Sequence, residues 1–410
     1  MSMGSRFQSV KFGIHSSASD FTTMPSTAVV LPRSFVPTLL PRARLPISRG
    51  AMPAVDGRRQ AQLRGAKDLK AIEVPMFFRG VNSNTGAAVA AWEAKLEQGT
   101  MLQSLFGAVA PATTGAAPTA SGTAGSVLTS SSTVLANNDV VFFTTSTGNW
   151  VRRILSGGGT TSLTLNQAFT GTPSGTIIRL GVYTMNPALT HHVHGAFDAE
   201  QLVDGTGLQR RQFLGCAPSK ATLKIPAVGN LEFNTTWMPS DIALASPATP
   251  TYADPTAGDH ISASGYEFRL GSTTLNLLGD ATLTIDNSVE MRSTGAGING
   301  VLGGLCGAGE GKVAMFEATV YVGATTPGNE LQDATGTPSV RDLLGVSDAV
   351  GKIASTQDLM LGIATAAGAL MGIFMPAADI VAEEVQSGSF NALKLTAYGT
   401  GATPLVLAVG

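Results

Sequence analysis

ATLKIPAVGNLEFNTTW, residues 221–237, decides the fold. Ala221, Leu223 and Ile225 alternate with Thr222 and Lys224, and Leu231, Phe233 and Trp237 alternate with Glu232, Asn234 and Thr236. A period of two is that of a strand with one buried and one wet face. Gly229 and Asn230 stand between the runs as hairpin-turn residues, so the pair reads as an antiparallel hairpin. The same alternation recurs toward the C-terminus. Ala281, Leu283 and Ile285 oppose Thr282, Thr284 and Asp286, while Ala314, Phe316, Ala318 and Val320, then Leu393, Leu395 and Ala397, form further apolar faces. Together these predict a mainly β protein, an antiparallel sandwich or barrel.

Toward the N-terminus, closely spaced strands are expected at 140–144, 150–155, 162–166 and 176–183, separated by turn residues at 157–159 and 173–175. They define an inserted small β-barrel module over 126–186. Residues 108–125, nearly all Ala, Thr, Gly and Pro, read as the linker before it. Within 71–125, a strand is predicted at 71–78 and a short helix after a Thr100–Gln103 capping box, ended by Gly107. Ala-rich residues 87–98, with Trp92 and Glu93, read as a helix or a loop that orders on assembly. The main β domain takes 187–410.

Residues 1–70 carry Pro25, Pro32, Pro37, Pro41 and Pro46, a spacing that blocks long helices and central strands, and read as an extended arm. The arm holds 11 Lys+Arg and 3 Asp+Glu, a net +8, which leaves −10 on the body of a chain whose overall charge is −2. A basic arm before an acidic body predicts salt-sensitive contact between copies. Only 13% of the chain is charged and 48 residues are Gly. Such weakly polar surface is commonly covered by further subunits. Cys216 and Cys306 form no CxxC pair and read as reduced, packed thiols.

Residues 359–378 are uncharged and contain Gly368 and Gly372 at small-xxx-small spacing. A membrane span would explain them, but Gly362, Gly368, Gly372 and Pro376 interrupt the run, and a buried helix followed by a buried strand accounts for the same residues. No apolar leader is read at the N-terminus.

Motifs for catalysis are sparse. His191, His192 and His194, with Asp198 and Glu200 nearby, are the metal or catalytic candidates, yet on a strand His191 points away from the other two. Gly295, Gly297 and Gly300 spell GxGxxG without the surrounding βαβ pattern. Gly311 and Lys312 resemble the end of a phosphate loop, but Val313 stands where a hydroxyl is needed. We expect no enzyme, no cofactor and no metal. Arg42, Arg44, Arg49, Arg58, Arg59 and Arg64 of the arm, with Trp92 and Glu93, are the candidate assembly contacts; the arginines also fit nucleic-acid phosphates.

The order of segments resembles the tail tube proteins of long-tailed, siphovirus-like bacteriophages. The run 102–107, the small barrel ending at Gly181, Val182, Tyr183 and Thr184, the strand entered through Gly215, Cys216 and Ala217, the strand 282–287, the strand bracketed by Gly309, Gly311 and Gly323, and the closing pair of 372–376 and the terminal strand after Phe390 carry it. The resemblance covers roughly 71–410, and the long basic arm departs from it.

That resemblance implies a tail-tube β fold and a structural subunit of the virion, assembled in the host cytoplasm. Rings, commonly hexameric, would stack into a conduit for double-stranded DNA. Tape measure, terminator and distal tail proteins would be the further partners, and no membrane span is implied. A major capsid subunit and a surface fibre or adhesin are the rivals. A chain lacking residues 1–64 is expected to fold but fail to form long tubes.

Overall fold

The computed structural model describes residues 6–15, 24–25, 29–30, 43–47, 63–68, 71–81, 98–107, 109–110, 118–185, 194–203, 207–245, 257–271, 273–291, 304–306, 312–321, 357–366, 369–387 and 390–410. Among these the chain is mainly strand, with one helix, Gly99–Phe106. The hairpin at 221–237 forms as its alternation predicts, pairing the end of the long strand Gly207–Ile225 with Glu232–Met238. Thr235 also falls on the buried face, and its hydroxyl oxygen accepts the Trp237 indole N–H at 2.8 Å. Neither polar group is therefore buried unpaired.

The hairpin sits inside a run of seven antiparallel strands. In spatial order they are Ile72–Phe77, Glu232–Met238, Gly207–Ile225, Thr273–Asp286, Val313–Tyr321, Phe390–Gly399 and Ala369–Ser387. The 19-residue strand Ala369–Ser387 carries the pairing around a corner, because its first half pairs with Gln357–Ala366 instead. That strand pairs with Tyr266–Leu270, which forms a hairpin with the start of Thr273–Asp286. Six strands thus close a circuit, a barrel-like sheet whose interior holds Phe268, Leu283, Phe316, Leu361, Ile373 and Leu395.

Residues 6–14 of the expected extended arm form a strand of the main sheet. Arg6–Ile14 pairs along its length with Gly195–Val203, and Phe12 is fully buried. Its ring lies 4.8 Å from those of Phe197 and Trp237. Gly195 faces it because a Cβ there would meet the Phe12 ring at 2.2 Å. The proline-rich stretch begins only at Pro25, beyond this segment.

The described residues of the apolar run at 359–378 form a strand pair and no helix. Gln357–Ala366 and the first half of Ala369–Ser387 are covered on both faces, which removes the alternation that marks a one-sided strand. Leu359, Leu361, Ile363, Met371 and Ile373 face the main core, while Met360, Leu370 and Phe374 face the small barrel. Gly362 and Gly372 stand directly opposite each other, and a Cβ on either would press on Val151 of that barrel, at 3.4 and 3.1 Å. The small-xxx-small spacing is thus half of a seat for a neighbouring module. Among the described residues no helix is long and apolar enough to cross a membrane.

The small barrel is present with shifted boundaries. Pro173–Arg179, Val140–Thr145, Gly148–Ser156, Ser162–Phe169, Gly125–Ser130 and Ala120–Ser121 pair in that order, and a Thr119↔Thr176 bridge joins the two ends. Val141, Phe143, Leu163 and Ile177 fill it, while Val140, Phe142, Val151 and Ile178 on its outside pack against the main sheet. Gly181–Thr184, expected as part of the module, pairs instead with Val406–Val409. The residues expected as linker supply two short strands, Val109–Ala110 and Ala120–Ser121.

The helix ends as predicted, with Gly107 in the left-handed region donating to the Gln103 carbonyl. The capping box does not form: the helix begins one residue earlier than Thr100, and Gln98 precedes it without a side-chain cap.

Candidate functional site

Of the candidate assembly contacts, Arg44 and Arg64 lie on a separate two-stranded hairpin, Ala43–Ile47 against Leu63–Asp68. Arg42, Arg49, Arg58, Arg59, Trp92 and Glu93 lie outside the described residues, as do His191, His192 and the glycines of the GxGxxG spelling. His194 is half-buried and its carbonyl accepts the His15 backbone N–H. Asp198 is buried and paired with Arg210, so it is engaged structurally. Cys216 is buried as a free thiol, and burial pushes it well above its ordinary value. Among the described residues no group of three or more His, Cys, Asp or Glu is arranged to hold a metal.

A buried polar cluster that sequence reading missed joins the small barrel to the main sheet. Arg152 is 0% exposed and donates through two nitrogens to Glu267 at 2.6 and 3.0 Å. The same guanidinium donates to the carbonyls of Val151, Gln167 and Ala168 and lies 4.7 Å from the Trp150 ring centre. Burial lowers its affinity for the proton, and the Glu267 carboxylate counters that effect. Such a bidentate, fully hydrogen-bonded pair fixes orientation as well as contact. Arg152 and Glu267 are 115 residues apart in sequence, so spacing carries no signal of their meeting.

Beside it, Gln167 donates to the Gly271 carbonyl at 2.8 Å and to Asp358 at 3.3 Å. Burial raises the Asp358 carboxyl above its ordinary value, against the lowering effect of hydrogen bonds from Gln167 and Asn166 and of the Arg153 charge. With the folded value above the unfolded one, the ionised form is the costly one. Stability from this group therefore rises as pH falls through the raised value toward the ordinary aspartate value of about 3.9. Asp358→Asn removes that dependence. We expect the variant to match or exceed the parent in urea midpoint at neutral pH, with the advantage shrinking at acid pH. A pH-independent difference would contradict this.

The seven-strand run presents a continuous wet face. Glu73, Glu232, Asp280, Asp286, Glu317, Asp379 and Glu383 alternate outward on it, with Lys220, Lys224 and Lys394 as its cations among the described residues. Lys224 pairs with Asp280 at 3.0 Å and Lys394 with Glu317 at 3.4 Å. Seven acids against three lysines leave this face at −4.

The run ends at Ile72–Phe77, which pairs on one side only among the described residues. Pro75 has no N–H to give, and strand alternation turns the backbone groups of Glu73, Pro75 and Phe77 away from the neighbouring strand. The Phe77 side chain is 43% exposed at this edge. Compared with protein-family models and with curated proteins, the chain matches none.

Proposed function

We propose that the chain is a structural subunit that closes into rings through its sheet edges, and that the rings stack into the tail tube of a siphovirus-like bacteriophage. The observation that carries this reading is the edge at Ile72–Phe77, which among the described residues is paired on one side only and ends a seven-strand sheet beside an exposed Phe77. An edge strand is a template for another copy, and ring closure satisfies all such edges at once. Pro75 leaves the edge two outward donors, Glu73 and Phe77, and this gap admits one pairing register more readily than its neighbours. The low charge content supports extensive coverage by copies, and the net charge of −10 outside residues 1–70 suits a channel through which DNA passes without adhering.

Negative-stain electron microscopy of the purified chain across a salt series tests this. Hollow tubes or stacked rings are expected; closed shells would favour a capsid subunit, and dispersed monomers at every salt would remove the polymer reading. Glu73→Pro sharpens the test. It deletes an outward donor and no intrachain ladder bond, so rings should be lost while Tm moves by no more than a few degrees. Rings of normal yield from this variant would show that another edge makes the contact.

A further inference from the structure

The Ala43–Ile47 and Leu63–Asp68 strands form a sheet of their own, joined by its ladder to no other described strand. Arg44 stands directly across from Lys67, and Pro46 across from Arg64. Like charges facing each other across a ladder oppose pairing, and a lone two-stranded hairpin is marginal in water. The hairpin belongs to the segment 42–70, which holds eight Lys+Arg and two Asp+Glu. An anionic surface laid against the segment offsets the repulsion and gives the two strands a surface to pack on.

The same molecule carries such a surface. The wet face of the seven-strand run has net charge −4, and two of its three lysines are already paired to its own carboxylates. We propose that the 43–68 hairpin docks on the acidic seven-strand face of a second copy of this chain, clasping one subunit to the next. This rests on the polymer reading above and names the contact that makes the polymer salt-sensitive. Charge complementarity selects the occupant, since the face carries −4 and the segment 42–70, with eight Lys+Arg and two Asp+Glu, carries +6.

The test uses the full chain, mixed in equal parts from 14N- and 15N-labelled preparations, polymerised and treated with a carbodiimide that joins amines to carboxylates in contact. Mixed-isotope cross-links from Lys67 to Glu232, Asp286, Glu317 or Glu383 are expected. The Arg44→Glu/Lys67→Glu variant should lose at least tenfold of the pelletable polymer, and Glu232→Lys/Glu317→Lys in the same chain should recover part of it. Cross-links confined to single-isotope pairs would overturn the proposal, because the hairpin would then lie on its own subunit. Normal polymer from the reversed hairpin would overturn it while leaving the ring reading intact. Normal polymer that has lost DNA retention would assign the hairpin to nucleic acid instead. A parent chain that never associates at any salt would remove both readings.

Discussion

Replacing Phe12 by alanine lowers stability by about 3–5 kcal/mol, the range for deleting a fully buried aromatic from a packed core. The ring is 0% exposed and touches two others, Phe197 and Trp237, which lie 5.5 Å from each other. Removing it leaves a hole bounded by large flat groups that relax poorly into it, and forfeits the edge and face contacts among the three rings. Gly195 deepens the effect, since the space that the Phe12 ring fills there is open only because position 195 has no Cβ. Urea unfolding followed by tryptophan emission measures it, and a loss below about 1 kcal/mol would mean that Arg6–Ile14 contributes little to the body. The same ring revises the expectation for a chain lacking residues 1–64. Such a chain is now expected to be destabilised as a subunit, and a truncation that isolates the basic segment must retain 6–15.

Arg152→Ala is expected to cost about 3 kcal/mol, near the lower end for breaking a buried ion pair. The lower end applies because the Glu267 side chain is 20% exposed and keeps Arg269 at 2.6 Å. Of the three backbone carbonyls left behind only that of Val151 is in a fully buried contact, and an acceptor unpaired there adds to the loss. The damage is local to the seam between barrel and sheet. Calorimetry should therefore show one cooperative transition in the parent and two in the variant, as the barrel uncouples from the sheet. A single unshifted transition would mean that the apolar contacts alone hold the seam.

The strands that were readable in the sequence are those buried on one face. Ala221, Leu223 and Ile225, and Leu283 and Ile285, alternate cleanly because water meets their opposite side. Gln357–Ala366 loses that signal because it is packed on both faces, where the barrel meets the sheet. A continuous apolar run is then equally compatible with a helix, and only the partner decides. Arg6–Ile14 did carry a signal, Val10, Phe12 and Ile14 at a period of two, but it is short and lies beside a proline-rich stretch of opposite character. The Arg152 cluster and the basic hairpin depend on contacts between distant segments, which no local spacing encodes. Charge asymmetry pointed to the hairpin's segment, and nothing pointed to Arg152.

The chain enters and leaves the small barrel at one point, where the Pro118 carbonyl accepts the Ile177 N–H at 2.8 Å and Leu180 donates to Val140. A unit whose ends emerge side by side is a portable cassette: it can be lifted out, or another domain grafted in its place, without stretching the host sheet. The graft has one condition, written in the surface that it uncovers. Met360, Leu370, Phe374 and Val406 would then face water together, so a host without its cassette must have them recoloured to polar residues or it will aggregate.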